Sequence, residues 1–460
     1  MNEIVLFIFR RDLRFNDNLG LNHAIKYSKK HKSKLMLCFT FTNEQIKTNP
    51  YFSSNAYQFM IESLMKLKSK LSVFDDKDFY KDIDNVKAIF FNKDYTPYSI
   101  KRDNEIKEYC EKKNIVCEMF EDYTLLPIDS IKNQSGNPYN VFTPFYKKCL
   151  EESTKIPKPV TESFKGCKVV KKQDSLDLDE LYKNENKFIL SRGGRLNGKK
   201  ILRDIELGKY KNYVSNRDVP SMEDGTTRLS PYLKFGCVSL REVFYVVLNK
   251  HGLQHDLIKQ LFWKEFYAMI TYHYGYVLGG MISDDNNESF NKKYDKIEWS
   301  NKKEWYDRWC EGKTGVPIVD AGMRQLNKTG YMHNRLRMIT ASFLIKDLLI
   351  DWREGERYFA TKLVDYDPAS NNGGWQWVAG SGTDAAPYFR VFNPWLQMTR
   401  FDKECKYVKK WIPELINVSC EHLLKWEKKY KEYEVDYPKP IIENHGKQKE
   451  EFIDLYKSVL

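Results

Sequence analysis

The sequence predicts an α/β protein in two unlike halves: a doubly wound parallel sheet first, then a mostly helical domain. Three observations carry this. Short apolar runs of strand length alternate with helical patterns over the first 120 residues. From Arg195 onward nearly every segment has helical periodicity. All ten tryptophans lie between Trp263 and Trp426. Strand–helix alternation with buried strands calls for a parallel sheet covered on both faces.

The strands are expected at Ile4–Phe9, Leu35–Phe41, Ala88–Phe91 and Ile115–Phe120, each a continuous apolar run. Helical patterns lie between them near residues 18–31, 54–70 and 97–113. The first strand runs into RRDLRFNDN and not into GxGxxG, so the standard dinucleotide fingerprint is absent. From Leu126 to about Gly194 the patterns fade into Pro, Lys, Ser and Asn, which reads as a long connector over the surface. Helices are expected at Ser239–Asn249, Leu257–Tyr272, Ile318–Leu326, Arg335–Leu349 and Gly355–Leu363. The expected division is therefore 1–127, a connector at 128–194, and a helical domain at 195–460.

The chain has 460 residues, 42% of them hydrophobic, enough for large cores. Its formal charge of +12 suits a polyanionic partner, although a solvated lysine-rich surface gives the same balance. Nine cysteines form no CxxC pair and no paired metal pattern, so reduced thiols and no metal are expected. The start, MNEIVLFIFRRDLRF, reads as a strand and not as a signal peptide. No run reaches about 18 apolar residues, so no membrane span is expected.

Four segments carry chemistry. Asp365–Trp377, DYDPASNNGGWQW, mixes carboxylates, amides, glycines and indoles. Gly and Asn are poor helix formers, so alone it reads as a buried turn. With the other segments it suggests the wall of a pocket for a flat heteroaromatic guest. In TTRLSPYL, Ser230 is a good N-cap and Pro231 a good first helical residue. Two Thr hydroxyls and an Arg before them suit a phosphate. In QLFWKEFY, Gln260, Trp263, Lys264 and Tyr267 share one helix face, which fits a stacked base or an aromatic core stripe. In GYMHNRLRMITASFLIKDLLID, Arg337 could pair with Asp365 or Asp367, and His333 reads as structural. No hydrolytic triad, phosphate-binding Walker loop or zinc pair is present; a tightly held redox cofactor fits better.

Together FRRDLRFNDN, TTRLSPYLKFG, LFWKEFY, EGKTGVPIVDAGMRQL, MHNRLRMITASFLIKDLLIDWREGERYF and DYDPASNNGGWQWVAGSGTDAAPYFRVFNPWLQ resemble the photolyase/cryptochrome family. The helical half looks most like class I cyclobutane pyrimidine dimer photolyases. The resemblance implies a Rossmann-like antenna domain, a linker and an all-helical domain holding FAD. It implies FAD contacts at Tyr213, Thr226, Thr227, Arg228, Leu229, Ser230, Asn334, Arg337, Asp365, Tyr366, Asp367 and Asn371, with Asn371 facing the reactive flavin N5. Trp299, Trp352 and Trp375 match a chain of tryptophans that feeds electrons to the flavin. DNA contacts are implied at Arg217, Gln260, Trp263, Lys264, Tyr267, Asn334, Arg335, Met338, Trp377, Arg390 and Gln397. Trp263 and Trp377 would wall a cleft for a flipped-out dimer, with Asn334 and Met338 as its floor. The implied reaction is light-driven repair of ultraviolet-damaged DNA: reduced FAD gives one electron to the dimer, the ring splits, and the electron returns. A monomer acting with the DNA, in cytoplasm or nucleus, is expected.

Two features depart from the class I pattern. Gln260 stands where that class has a Glu that hydrogen-bonds the lesion and takes part in repair. Gln also resembles (6-4) photolyases and some cryptochromes, but those (6-4) enzymes have histidines where this chain has Asn334 and Met338. FNKDYTPYSIKRDNE has Pro97–Tyr98 where the resemblance expects an Asn-Glu pair for a folate antenna, so a folate, a deazaflavin, another flavin or no antenna stays open. A cryptochrome photoreceptor is the main alternative, but the chain ends about 50 residues beyond Trp411, without a long tail.

Overall fold

The computed structural model describes residues 3–279, 287–300 and 302–460. The chain forms two compact units that do not follow chain order. One comprises Met1–Asn186, Ser191–Lys211 and Arg228–Asn286; the other comprises Lys187–Leu190, Asn212–Thr227 and Asn287–Leu460.

The first unit is built on a parallel sheet. Its strands are β1 (Ile4–Ile8), β2 (Lys34–Thr40), β3 (Leu71–Phe74), β4 (Val86–Asn92), β5 (Val116–Phe120) and β6 (Lys168–Val170). The order is β3-β2-β1-β4-β5, and β6 pairs with β2 at Lys34–Met36, just before β3 takes over at Leu37. Leu6, Ile8, Ile89 and Phe91 point to one face, where they meet Ile106 and Cys110 of α3 (Pro97–Lys113). The opposite face is covered by α1 (Leu19–His31), whose Tyr27 ring lies 5.4 Å from Phe90. Continuous apolar strands are what two covered faces require. Helix α2 (Ser54–Met65) ends short of the expected residue 70.

Two elements of this unit fall in the segment that reads as a connector: α4 (Phe142–Glu152) and β6. β6, three residues long, is too short for periodicity to reveal; α4 does carry apolar residues at helical spacing, Phe142, Phe145, Tyr146, Cys149 and Leu150, set among the Lys, Thr and Pro that make the segment read as a connector. The unit also contains α5 (Arg195–Glu206), α6 (Leu240–His251) and α7 (Asp256–His273).

RRDLRFNDN is structural. Arg14 is fully buried and donates to the Asp17 carbonyl, the Gly236 carbonyl and the Asp122 carboxylate. Arg241 of α6 donates to Asp17 (Nε–Oδ2 3.0 Å) and to Asp122 (Nη2–Oδ1 2.6 Å). Ser239 Oγ donates to Asp17 as well. Two cations and two carboxylates thus form a closed, neutral, buried network, the condition under which buried charges are tolerated. Gly236 is left-handed (φ 60°), and a Cβ there would lie 2.3 Å from the Arg11 carbonyl, so only glycine allows this approach.

The second unit is helical: α8 (Lys303–Glu311), α9 (Pro317–Thr329), α10 (Asn334–Lys346), α11 (Trp352–Lys362), α12 (Pro368–Ala379), α13 (Pro394–Phe401), α14 (Lys406–Trp411) and α15 (His445–Lys457), with shorter turns between. The NNGGWQW stretch, which reads as a buried turn, is instead most of α12. Asp367 caps it by accepting from Ser370 N (3.0 Å), and Pro368 opens it. A cap, a first-position proline and burial of Trp375, Gln376 and Val378 outweigh the poor propensity of Asn and Gly.

Cys405 and Cys420 are joined in a disulfide, contrary to the expectation of reduced thiols throughout; the other seven cysteines are free. The chain folds back after α14, which brings two residues 15 apart within 5.7 Å (Cα–Cα). Sequence spacing carries no signal for that. Among the described residues no helix is long and apolar enough to cross a membrane.

Candidate active site

In the helical unit the site starts at the turn into α10. His333 caps this helix: its Nδ1 accepts from Arg335 N (3.2 Å), and the residue is buried. That agrees with its reading as structural. The cap fixes the first turn, and Arg337 folds back so that Nε donates to the Met332 carbonyl (2.8 Å) and Nη2 reaches both Asp365 oxygens (2.9 and 3.1 Å). Of the two carboxylates open to Arg337, the partner is Asp365; Asp367 serves as the α12 cap. The Asp365 side chain is 3% exposed and that of Arg337 is 26%. A cation is therefore anchored at its inner end while part of its surface stays available.

One turn into α12, Asn371 donates its amide to the Glu356 carbonyl (3.2 Å). Glu356 itself is buried, and burial pushes its carboxyl up to about 7, although Asn287 donates to it (2.7 Å). A carboxyl raised in this way holds its proton in the folded state. Its contribution to stability is complete below about pH 4.5 and is lost as pH rises through about 7. Glu356→Gln should flatten that fall, read as the urea midpoint between pH 5 and 8. Identical pH slopes in variant and parent would refute the assignment.

The three expected tryptophans are graded in burial. Trp375 and Trp352 are buried, and Trp299 is half-buried. Trp375 meets Phe359 edge-on (4.9 Å, 79°) and lies 6.2 Å from Trp309, a fully buried indole that the motifs did not single out. The Arg353 guanidinium lies 4.7 Å from the Trp352 ring, and Trp299 packs on Tyr456 at 6.0 Å.

Other expected contacts in this unit vary in exposure. Asn334 and Arg390 are exposed; Met338, Trp377, Gln397, Tyr213, Thr226 and Thr227 are half-buried; Tyr366 is buried. Asn334 approaches the Met338 sulfur at 4.0 Å. Arg335 is engaged already, with Asp218 (Nη2–Oδ1 2.8 Å) and over the Phe401 ring (4.3 Å). Arg217 lies over the Tyr213 ring at 6.0 Å.

In the first unit, Gln260, Trp263, Lys264 and Tyr267 do lie on α7. Gln260 donates to Asp256 (3.3 Å), and Tyr267 lies 5.7 Å from Trp263. Lys264 sits 3.2 Å from the centroid of the Tyr123 ring and donates to the Tyr123 carbonyl, so its charge is held by the protein. Trp263 is half-buried. Ser230 is not an N-cap: Leu229 holds that position with helical dihedrals, and Ser230 opens a five-residue helix, Ser230–Lys234. The left-handed Arg228 (φ 52°) shifts the start by one residue. Arg228 is half-buried and Leu229 buried.

The donor chemistry of the helical unit fits a flavin. Arg337 offers a held cation for an anionic ring, Asn371 offers an amide, and buried indoles lie behind on α11 and α12. Asp365→Asn should weaken this cation anchor and cost about 1–3 kcal/mol, the scale of a hydrogen bond to a charged group. The purified variant should carry less flavin per chain by absorbance. Unchanged flavin content and thermal midpoint would show that Arg337 is held by Met332 alone.

The chain matches the family described as "FAD binding domain of DNA photolyase" over residues 257–458, and "DNA photolyase" over residues 5–75 and 77–163. The deoxyribodipyrimidine photo-lyase of Alkalihalophilus pseudofirmus is 36% identical over 478 residues, covering 98% of this chain and 97% of the relative. That of Escherichia coli is 36% identical, covering 95% of each. A Sulfolobus tokodaii photolyase solved with two FAD molecules is 38% identical, with a TM-score of 0.84 and coverage of 99% of this chain and 100% of that one. An Agrobacterium tumefaciens class III photolyase is 30% identical, with a TM-score of 0.88 and coverage of 100% and 98%.

Proposed function

The chain belongs to the DNA photolyase family, and on that premise we propose a light-dependent DNA-repair lyase acting on cyclobutane pyrimidine dimers. The observation that carries this reading is the Arg337–Asp365 pair with Asn371 one turn into α12, inside a matched FAD-binding domain. When bound and reduced, FAD supplies a light-driven electron that opens the cyclobutane ring. The residues do the rest. Arg337 would balance negative charge on a bound flavin, and Asn371 would offer it an amide. Trp375, Trp352 and Trp299 would carry electrons inward from an external reductant to a bound flavin. Tyr213, Thr226–Ser230, Asp365, Tyr366 and Asp367 hold it. Burial of Trp375 and Trp352 keeps the electron path dry.

For the lesion, the helical unit supplies the flat face of Trp377 with Asn334 and Met338, and the first unit supplies the flat face of Trp263 and, on Gln260, an amide that can both donate and accept at a base edge. Arg217, Arg335, Arg390, Gln397, Lys264 and Tyr267 complete the DNA face. Affinity should fall steeply with salt, as phosphate contacts require. Trp377→Ala should weaken binding of dimer-containing DNA about tenfold and leave flavin content intact, because a stacked base contributes on this scale. Equal affinities of variant and parent would remove Trp377 from the wall.

The functional division is 1–127, 128–194 and 195–460, and the chain acts as a monomer with the DNA. Within the family we favour class I for the helical half. The class III structure, at 30% identity, keeps the other subclass in view. A second chromophore in the α/β unit is supported by Arg10. Its Nε has no hydrogen-bond partner among the described residues, and its guanidinium lies 5.5 Å from the Phe91 ring. A flavin is the favoured occupant, given the 38% identical photolyase with two FAD molecules. The deciding experiment is repair of defined oligonucleotides by photoreduced protein. Light-dependent loss of the thymine dimer alone supports the reading. Loss of the (6-4) product alone would mean that Gln260 outweighs Asn334 and Met338.

A further inference from the structure

Trp263 does not stand alone on α7. Phe142, the first residue of α4, lies against it face to face, with ring centroids 3.5 Å apart and planes 7° from parallel. Tyr146, one turn further along α4, stacks on Phe142 in turn (5.6 Å, 10°), and Tyr267 flanks Trp263 (5.7 Å, 30°). Only Phe142 lies in face-to-face contact with the indole; Tyr146 and Tyr267 lie further off to the side. Phe142 is 2% exposed, whereas Trp263 keeps part of its surface open.

Aromatic pairs selected only for packing favour edge-to-face or offset geometry over a face-to-face sandwich. Trp263 makes such an edge contact with Phe266 (5.9 Å, 87°). The sandwich with Phe142 is the less favourable arrangement, and its consequence is that the indole plane is fixed. An indole has one torsion that swings the ring about its own axis. A flat backing 3.5 Å away leaves that torsion no room, while an aliphatic neighbour of similar volume would.

We propose that Phe142 is a positioning residue for lesion recognition: it sets the plane of Trp263 so that the indole presents a preorganised stacking surface to the extruded pyrimidine pair. The inference rests on the reading of Trp263 as a wall of the lesion cleft. Preorganising a ring lowers the cost of ordering it on binding, so the effect belongs in affinity for the damaged site.

The test compares Phe142→Leu, Phe142→Met and Phe142→Tyr, with Trp263→Ala as the control, on full-length flavin-loaded protein. Each is titrated with a duplex containing one thymine dimer and with the undamaged duplex. Leu and Met keep apolar volume without a flat face; Tyr keeps the face. Leu and Met should each weaken binding of the dimer duplex about tenfold, with undamaged-duplex binding and flavin content unchanged, and Tyr should restore parental affinity. Parental dimer affinity in either aliphatic variant overturns the proposal, as does an equal loss on both duplexes. If Trp263→Ala keeps parental affinity, the wall reading fails and the proposal falls with it. If Trp263→Ala loses affinity while the aliphatic variants do not, only the role of Phe142 fails.

Discussion

Arg241→Met should destabilise the α/β unit by about 3–5 kcal/mol, the largest effect of any single substitution considered for this protein. Arg241 is 2% exposed and touches Asp17 through Nε and Asp122 through Nη2. Its removal leaves the buried Asp17 carboxylate with only the Ser239 hydroxyl and the Val160 amide, since Arg14 bonds the Asp17 carbonyl, and leaves Arg14 as the one cation bonded to Asp122, so the network gains a net negative charge. The gain from burying a methionine in the same space is a few kcal/mol at most and does not supply a counter-charge. The measurement is the urea midpoint by circular dichroism. A double variant, Arg241→Met with Asp17→Asn, should recover part of the loss because it restores neutrality. A shift below about 1 kcal/mol in the single variant would mean that solvent reaches these carboxylates, as at surface pairs.

Gly355→Ala should be the second largest, and its sign is what makes it informative. In an open helix, Gly to Ala gains about 1 kcal/mol from propensity. Here a Cβ on α11 would lie 2.2 Å from Trp375 Cη2, 2.4 Å from Cζ3 and 2.6 Å from Leu344 Cδ2. Trp375 is 3% exposed and braced by Phe359 and Trp309, so it has nowhere to go without moving them. Overpacking of a tight core costs about 1–3 kcal/mol and occasionally more. The clash outweighs the propensity gain, and a net loss of about 2 kcal/mol is expected. Because the displaced ring is the innermost of the proposed electron chain, photoreduction of the bound flavin should slow together with the drop in thermal midpoint. A raised midpoint with unaltered photoreduction would show that Trp375 can pivot freely.

Much of the candidate site was readable from residues alone, and for a common reason. Arg337 announces itself because a charge on an otherwise apolar helix needs a partner, and the structure supplies it at 2.9 Å in Asp365, in the turn before α12. His333 read as structural, and it caps α10. What was misread also has a physical cause. In NNGGWQW, local propensity pointed to a turn, while the Asp367 cap and buried side chains on one face made a helix. Ser230 had the right chemistry for a cap, but the left-handed Arg228 moved the helix start by one residue.

The sequence by itself determined the class of the two halves, most element positions, the pairing of Arg337 with one of two carboxylates, and the family. Periodicity, caps and motifs are local, and local signals survive in one dimension. Tertiary structure alone decided that RRDLRFNDN closes a charge network with Arg241, 224 residues away from Asp17. It also decided that Phe142 backs Trp263, that Cys405 meets Cys420, and that β6 joins the sheet beside β2. In each case the partners are separated by chain whose path no local pattern encodes, and burial of the whole surface selects which of many compatible residues actually meet.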